Sequence, residues 1–243
     1  MRGGIDRGGQ QLVLRALDLV MTERPVMMKR DPSLHKHSVQ AFQAHRVPGK
    51  AIQIHPLVTS GYNADFDGDT MSVYVPISNE AVKETRNMFP SNNLFNEATG
   101  HVQNVPTLES ALGLYKLSLQ KGDGKTHMQS PAEALRAAAA GKLHVNERVQ
   151  IPGVGTTTVG RLLLSSALPE NSSVQKSMLT SEGMVLDKKG LPALYTTLAK
   201  EYRGDFGVAA NKLKDLGFDA TYGIMKIPNP GLKGADAVKA SEN

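Results

Sequence analysis

The chain has 243 residues, which suits one large domain or two small ones, and its 40% hydrophobic content is enough for a core. It holds no apolar run close to the ~20 residues of a membrane helix and begins without a secretory signal, so we expect a cytoplasmic protein with no membrane contact. Cysteine is absent, which excludes disulfides and thiolate zinc sites, and the net charge of +5 is a modest basic excess.

An amphipathic helix is predicted for residues 10–23. Val13, Leu17 and Val20 recur at i, i+4 and i+7, and Pro25 ends the pattern. Residues 26–48 show no clear period.

Two strands are predicted on either side of an acidic loop. In residues 51–58, Ile52 and Ile54 alternate with polar side chains, and residues 71–75 alternate cleanly before a proline. A loop held at both ends by a sheet is a suitable place for a binding site, because the sheet fixes its ends.

The rest of the chain is predicted to be mainly helical. Ser78 caps a helix through residue 88, Thr107 caps another through residue 120, and Ser130 begins an Ala-rich helix with capping-box spacing. The remaining predictions are a linker at 121–125, a hairpin at 149–158, helices at 191–203 and 206–216, and a poorly ordered tail after Pro228.

The acidic loop reads Asn63-Ala64-Asp65-Phe66-Asp67-Gly68-Asp69. Carboxylates at i, i+2 and i+4 share one side of an extended segment, where they repel unless a cation lies between them. Carboxylate oxygens are ligands that Mg²⁺ prefers. In a straight strand they would be roughly 6–7 Å apart. The chain must therefore curl, and Gly68 supplies the backbone freedom for this.

Other interpretations of this loop fit less well. A calcium-binding EF-hand loop starting at Asp65 needs Gly and Glu where Thr70 and Pro76 stand. Phosphatases with an Asp-x-Asp nucleophile need an apolar strand directly before the first Asp, and residues 59–63 intervene. Phe66 between the acids disfavours a simple solvated turn.

A basic tract precedes the loop. Residues 24–55 contain six lysines and arginines, four histidines and one acid, Asp31. A basic tract beside a carboxylate cluster is what a site for a polyanion and a divalent metal requires, although scattered surface lysines remain an alternative.

Several further blocks of sequence accompany the acidic loop: residues 30–36, 39–42, 49–58 and 62–69, followed by Ser91-Asn92-Asn93 and Leu112-Gly113-Leu114-Tyr115. Together these blocks resemble the largest subunit (β′) of multisubunit DNA-dependent RNA polymerases. Their order and spacing follow that family from about residue 10 to residue 119, and residues 157–161 and 191–223 are similar more weakly.

The resemblance implies an α+β (mixed) fold, with part of a double-psi β-barrel followed by a mainly helical region and completed by other chains. The implied domains are an N-terminal helical segment (1–25), the catalytic part of the barrel with adjoining helices (26–120), a mainly helical β′-like region (121–228) and a flexible tail (229–243).

The resemblance also implies the site. Asp65, Asp67 and Asp69 are expected to hold the catalytic Mg²⁺, and Arg30 and Asn63 to contact the sugar of the incoming nucleotide. The implied activity is nucleotidyl transfer from NTPs to the RNA 3′ end on a DNA template. Asp31 stands where the family commonly has alanine, so we expect it to draw the Arg30 guanidinium away from the nucleotide.

We expect one piece of a naturally split β′ subunit, similar to those of large bacteriophages, in the host cytoplasm or the virion. Its expected partners are the remaining β′ fragments, β-like chains, the DNA template, the RNA transcript and NTPs. Two alternatives stay open: a subunit of an RNA-dependent RNA polymerase, which the block at 49–58 disfavours, and a non-catalytic assembly subunit with a structural metal loop.

Overall fold

The computed structural model describes residues 7–180 and 182–223. Two compact units divide the chain, Met1–Asn104 (unit 1) and Val105–Asn243 (unit 2). The described residues combine helices with two small sheets, so the predicted α+β class is confirmed. The tail predicted after Pro228 lies outside the described residues.

Unit 1 is built around a three-stranded antiparallel sheet of order β2-β1-β3. Its elements are helix α1 (Arg7–Glu23), strands β1 (Val26–Lys29) and β2 (Val39–Phe42), helix α2 (Thr59–Tyr62), strand β3 (Ser72–Tyr74) and helix α3 (Asn79–Asn87). Lys29 pairs with Ser72 and Met27 with Tyr74, so β1 and β3 run in opposite directions with the acidic loop at one end.

The helix predictions for unit 1 are confirmed, with one difference in packing. Helix α3 begins after Ser78, whose hydroxyl accepts a hydrogen bond from the Ala81 amide at 3.1 Å. Helix α1 has the predicted period, but its apolar side chains are exposed, with Leu12 at 70% and Leu19 at 66%. Helix α1 therefore presents apolar surface that the described part of the chain leaves uncovered.

The strand predicted for residues 51–58 is wrong. Pro56–Val58 form a 3-10 helix, and the His55 ring accepts a hydrogen bond from the Leu57 amide at 3.2 Å. Proline fixes its own backbone angle and begins the turn, while Ile52 and Ile54 line a cavity beside the acidic loop. Their alternation reflects that cavity and not a sheet.

Strands β1 and β2 lie in the segment where no period was found. Each has only four residues, and the burial of β1 does not alternate cleanly because Val26 and Met27 are both half-buried. A small apolar cluster of Met28, Val58 and Tyr62 joins this sheet to α2.

Unit 2 has a second three-stranded sheet, β4-β5-β6, surrounded by helices. The strands are β4 (Lys121–His127), β5 (Glu147–Ile151) and β6 (Gly155–Thr157), with β4 and β5 parallel. The helices are α4 (Leu108–Ser118), α5 (Pro131–Ala139), α6 (Val159–Ser166), α7 (Ser173–Leu179), α8 (Gly190–Glu201) and α9 (Phe206–Tyr222).

The predicted linker at 121–125 is wrong, because these residues form β4. The Lys121 amide donates to the Asn146 carbonyl at 2.8 Å, and the Met128 amide donates to the Gln150 carbonyl at 2.9 Å. Most side chains of β4 are exposed, so its composition resembles that of a loop although its backbone is paired. The predicted hairpin is confirmed as β5 and β6.

Helices α4 and α9 approach each other closely through glycines. A Cβ on Gly113 would lie 1.8 Å from the Gly217 carbonyl oxygen, and a Cβ on Gly217 would lie 2.3 Å from the Ser110 carbonyl oxygen. The Ser110 hydroxyl donates to the Lys214 carbonyl at 2.9 Å across the same contact. Only glycine allows two backbones to come this near.

Candidate metal centre

Helix α2 and strand β1 set the position of the acidic loop. The Tyr62 hydroxyl, on a side chain only 1% exposed, donates to the Met28 carbonyl at 3.1 Å, which ties the end of α2 to β1. Burial raises the pKa of Tyr62 well above its ordinary value, so the phenol stays a neutral donor. A Cβ on Gly61 would lie 2.5 Å from the side-chain Nε2 of Gln40, so α2 also lies tightly against β2.

The loop turns through two unusual backbone conformations. Asn63 ends α2 in the left-handed region (φ 49°, ψ 45°), which Asn tolerates better than most residues. Gly68 has φ 118°, and a Cβ added there would meet no other atom within 4 Å, so glycine is needed for conformation and not for space. The predicted curl is present.

The curl brings the three carboxylates together. Asp65, Asp67 and Asp69 each offer an oxygen, and these oxygens all lie within 4.8 Å of one another. Opposite ligands of one Mg²⁺ at ~2.1 Å each are about 4 Å apart, so small rotations of these side chains are enough to surround one ion. The donor set fits a hard divalent cation.

The electrostatics of the loop are uneven. A hydrogen bond with Asp67 raises the pKa of Asp65, with desolvation and the charges of Asp67 and Asp69 acting in the same direction. A hydrogen bond from Arg30 instead lowers the pKa of Asp69. Asp65 therefore has a carboxylate as its nearest partner, Asp67, while the charge of Asp69 is compensated by Arg30.

Strand pairing explains why Arg30 meets Asp69. Because Lys29 at the end of β1 pairs with Ser72 at the start of β3, the next residue, Arg30, lies beside the end of the loop. Its Nε and Nη2 contact the two oxygens of Asp69, each at 2.9 Å, and its Nη1 donates to the Tyr62 carbonyl at 3.3 Å. Arg30 thus lies against the acidic loop and against Tyr62. The next residue, Asn63, is exposed.

The expectation that Asp31 draws Arg30 away is wrong. Asp31 pairs with Lys29, with 2.8 Å between Nζ and Oδ1, and the Arg30 guanidinium turns to Asp69. The acid that competes for Arg30 belongs to the acidic loop itself. No sequence pattern distinguishes these two partners, since the contact depends on the register of β1 against β3.

Most of the basic tract is engaged in contacts within unit 1. Lys36 pairs with Glu97 at 2.5 Å, Arg46 with Asp18 at 2.6 Å, and Arg24 donates to the carbonyls of Pro76 and Ile77. Exposed ion pairs of this kind are weak and exchange readily with other charges.

A cavity of about 450 Å³ lies directly beside the loop. Asp65, Gly68 and Asp69 line one part of it, and Lys50 is the member of the basic tract that lines it. The lining also includes Thr70 and apolar side chains: Ala51, Ile52, Ile54, Ala64, Phe66 and Met71. Lys50 was not assigned to the site from the sequence; its place in the basic tract upstream of the acids was the available signal.

Comparison with known proteins bears on this arrangement. Residues 10–90, which include the loop and Arg30, match the family model "RNA polymerase Rpb1, domain 2". In an alignment of 252 positions that covers 90% of the chain, it is 38% identical to the DNA-directed RNA polymerase subunit β′ of Kocuria rhizophila. The chain is similar to one segment of the polymerase largest subunit.

Other β′ subunits give the same result. The chain is 39% identical to that of Pelotomaculum thermopropionicum over 240 residues and 41% identical to that of Campylobacter lari over 218 residues. The three alignments cover 85–91% of the chain, so the similarity continues well beyond residue 119. They cover 14–20% of the β′ subunits, so the chain spans at most about a fifth of these relatives.

Among the described residues, none of the helices is long and apolar enough to cross a membrane.

Proposed function

We propose that this chain is a catalytic-core segment of a multisubunit DNA-directed RNA polymerase, in which Asp65, Asp67 and Asp69 hold the active-site Mg²⁺. The observation that carries the proposal is the convergence of three carboxylates and Arg30 within a segment similar to β′. The reaction is nucleotidyl transfer from an NTP to the RNA 3′ end.

The metal, when bound, lowers the pKa of the attacking hydroxyl and neutralises charge on the phosphates. The chain's own residues supply binding and orientation. The three carboxylates provide the oxygen ligands, and Gly68 shapes the loop that presents them. Arg30 and Asn63 contact the sugar of the nucleotide, and Lys50 adds positive charge at the wall of the adjoining cavity.

Other chains are needed to complete this site. The sheet of unit 1 has three strands, and β3, with all three side chains exposed, pairs on one side with β1. The apolar side chains of Val75 and Ile77 that follow β3 are 58% and 87% exposed. We infer that partner chains, including the rest of β′ and a β-like subunit, finish a double-psi β-barrel around this sheet and form the cleft for DNA template and RNA transcript.

We also propose that the chain is a split β′ subunit of a large bacteriophage that acts in the host cytoplasm or the virion. Identification of every chain that purifies with it from infected cells tests this origin. Recovery of one full-length β′ polypeptide containing these residues contradicts it.

The decisive experiment replaces one carboxylate in the assembled polymerase. Asp67→Ala is expected to reduce RNA synthesis by a factor on the order of a thousand or more, with assembly unchanged, because the metal loses a ligand. Asp123→Asn, at an exposed position of strand β4 in unit 2, is the matched control and keeps full activity. Transcription assays and native mass spectrometry of the complex give the two readouts.

Two other functions predict different outcomes. If Asp67→Ala prevents assembly and leaves the activity per assembled complex unchanged, the loop is a structural metal clamp. If the wild-type complex copies RNA templates in preference to DNA templates, the enzyme is RNA-dependent. The DNA-directed β′ relatives favour neither of these functions.

A further inference from the structure

The Arg30–Asp69 contact has the geometry of a strong ion pair. Nε faces Oδ2 and Nη2 faces Oδ1, each at 2.9 Å, which is the bidentate fork of an arginine on a carboxylate. The two side chains are about one-fifth exposed, at 21% and 23%, so solvent screens this pair less than the other ion pairs of unit 1. Asp69 is thus already paired with a cation.

The same carboxylate is one of the three proposed metal ligands. Its Oδ2 also accepts a weak hydrogen bond from the Asp65 amide at 3.3 Å, so both oxygens have partners. A divalent cation among the three aspartates would lie within a few ångströms of the guanidinium, and like charges at that distance repel. Asp69 cannot serve both cations equally well.

Of the two cations at the end of β1, Lys29 and Arg30, only Arg30 contacts Asp69, so Arg30 is the one that would compete with a metal ion for this carboxylate. Lys29 is held by Asp31 at 2.8 Å, so it does not take the place of Arg30 on the loop. The Nη1 of Arg30 reaches the Tyr62 carbonyl, one residue before Asn63, so a released guanidinium remains beside the position proposed to contact the sugar.

We propose that Arg30 is a resident counter-cation of Asp69, and that Arg30 and the divalent metal compete for this carboxylate. Metal binding loosens the Arg30 fork and makes the guanidinium available to the nucleotide sugar. The inference rests on the proposed function, because it takes the aspartates as metal ligands. Since coupling between two binding events is reciprocal, removal of Arg30 must strengthen metal binding.

The test measures the affinity of the assembled complex for Mn²⁺ by electron paramagnetic resonance, with no nucleotide present. Arg30→Gln is expected to bind Mn²⁺ at least about fivefold more tightly than wild type, because the competing charge is gone. Arg30→Lys keeps the charge without the fork and is expected to fall between the two. Lys29→Gln removes the adjacent cation and is the matched control, with a change under about twofold.

A second readout separates competition from a merely structural role. In the wild type, the preference for binding ribonucleotides over deoxyribonucleotides is expected to rise as Mn²⁺ saturates the loop. In Arg30→Gln it is expected to stay constant across the same titration. A structural defect would change the preference at every metal concentration.

The outcomes distinguish the inference from the function on which it rests. If Asp67→Ala retains the Mn²⁺ signal, the loop is not the metal site and the proposed function fails together with the inference. If Asp67→Ala abolishes the signal but Arg30→Gln binds Mn²⁺ no more tightly than wild type, the metal site stands and the competition is refuted. If Arg30→Gln binds Mn²⁺ more weakly than wild type, then Arg30 holds Asp69 in place for the metal, and the competition is refuted in this case too.

Discussion

Units 1 and 2 differ in how much of their apolar surface they bury. In the described part of unit 1, seven apolar residues are buried and fourteen large apolar side chains are exposed. In the described part of unit 2, twenty-three are buried and seven large ones are exposed. The unit that carries the aspartates therefore has the poorer core, which agrees with the proposal that its apolar faces pack against other chains.

The polar interactions follow the same division. Among the described residues, unit 1 has four ion pairs, such as Arg46 with Asp18, and unit 2 has two. Unit 2 buries Arg161 completely, and both of its Nη atoms donate to backbone carbonyls, although Nε has no hydrogen-bond partner among the described residues. We infer that unit 2 is stabilised from within, while unit 1 relies on its partners for part of its stability.

The largest expected effect is at Arg161, which is 0% exposed. Its guanidinium donates to the carbonyls of Ser118, Gly183 and Met178 at 3.1, 2.8 and 3.3 Å, and so joins the ends of α4 and α7. Arg161→Ala leaves these carbonyls unsatisfied and opens a cavity, so we expect unit 2 to lose at least ~3 kcal/mol. Hydrogen exchange of the α4 and α9 amides in the full chain measures the loss.

A second variant separates the loss of hydrogen bonds from the loss of buried volume. Arg161→Met keeps most of the volume and loses the donors, so it isolates the hydrogen-bond contribution. If either variant accelerates exchange in β1 and β2 as much as in α4 and α9, the stability of unit 2 does not come from within that unit alone.

The next effect is at the helix contact of unit 2. Gly113→Ala places a methyl group 1.8 Å from the Gly217 carbonyl oxygen, so α4 and α9 must move apart. We expect a cost of ~1–3 kcal/mol, as for other overpacked cores, measured as a lower urea midpoint for unit 2. Gly207→Ala, in α9 with open space around its Cβ position, is the control and is expected to be neutral or slightly stabilising. Equal effects of the two substitutions would show that close approach is not what Gly113 provides.

The smallest expected effect on the chain itself is on helix α1. The double variant Leu12→Gln and Leu19→Gln changes side chains that are 70% and 66% exposed, so the free energy of unfolding of the chain is expected to change by less than ~0.5 kcal/mol. Recovery of partner subunits with the tagged chain is nevertheless expected to fall severalfold. Val208→Gln, at a 60% exposed position of unit 2, is the control. Unchanged recovery in the double variant would remove the argument that this face is covered by another subunit.

Much of the helical structure could be read from local signals. Ser78 and Ser130 have side chains that accept the expected capping hydrogen bond, and Thr107 directly precedes α4 as predicted. Helix α6, which follows Thr158, was still missed, because seven of its eight residues are buried and a short buried run does not distinguish a helix from a strand.

The strands show what local patterns could not provide. Strand β4 has an exposed, glycine-containing sequence and exists because β5 pairs with it, so the information lies in the partner. Residues 51–58 alternate like a strand, yet no strand forms there, because Pro56 begins a turn and the isoleucines face a cavity. Strand pairing is decided by distant residues, which a local period does not report.

For the site, spacing was enough to predict that Asp65, Asp67 and Asp69 meet, and that Gly68 bends the chain between them. The contact between Arg30 and Asp69 could not be predicted, since thirty-nine positions separate them and only the pairing of β1 with β3 brings them together. Lys50 belongs to the basic tract, but only the folded chain shows that it lines the cavity beside the loop.

The left-handed backbone of Asn63 affects how substitutions there are to be interpreted. At φ 49°, a change to alanine removes the amide and also forces a Cβ-bearing residue without a polar side chain into a conformation it resists. Nucleotide selection and loop shape would then fail together. Glycine accepts that conformation freely, so comparing Asn63→Gly with Asn63→Ala separates the chemistry of the amide from the geometry of the turn.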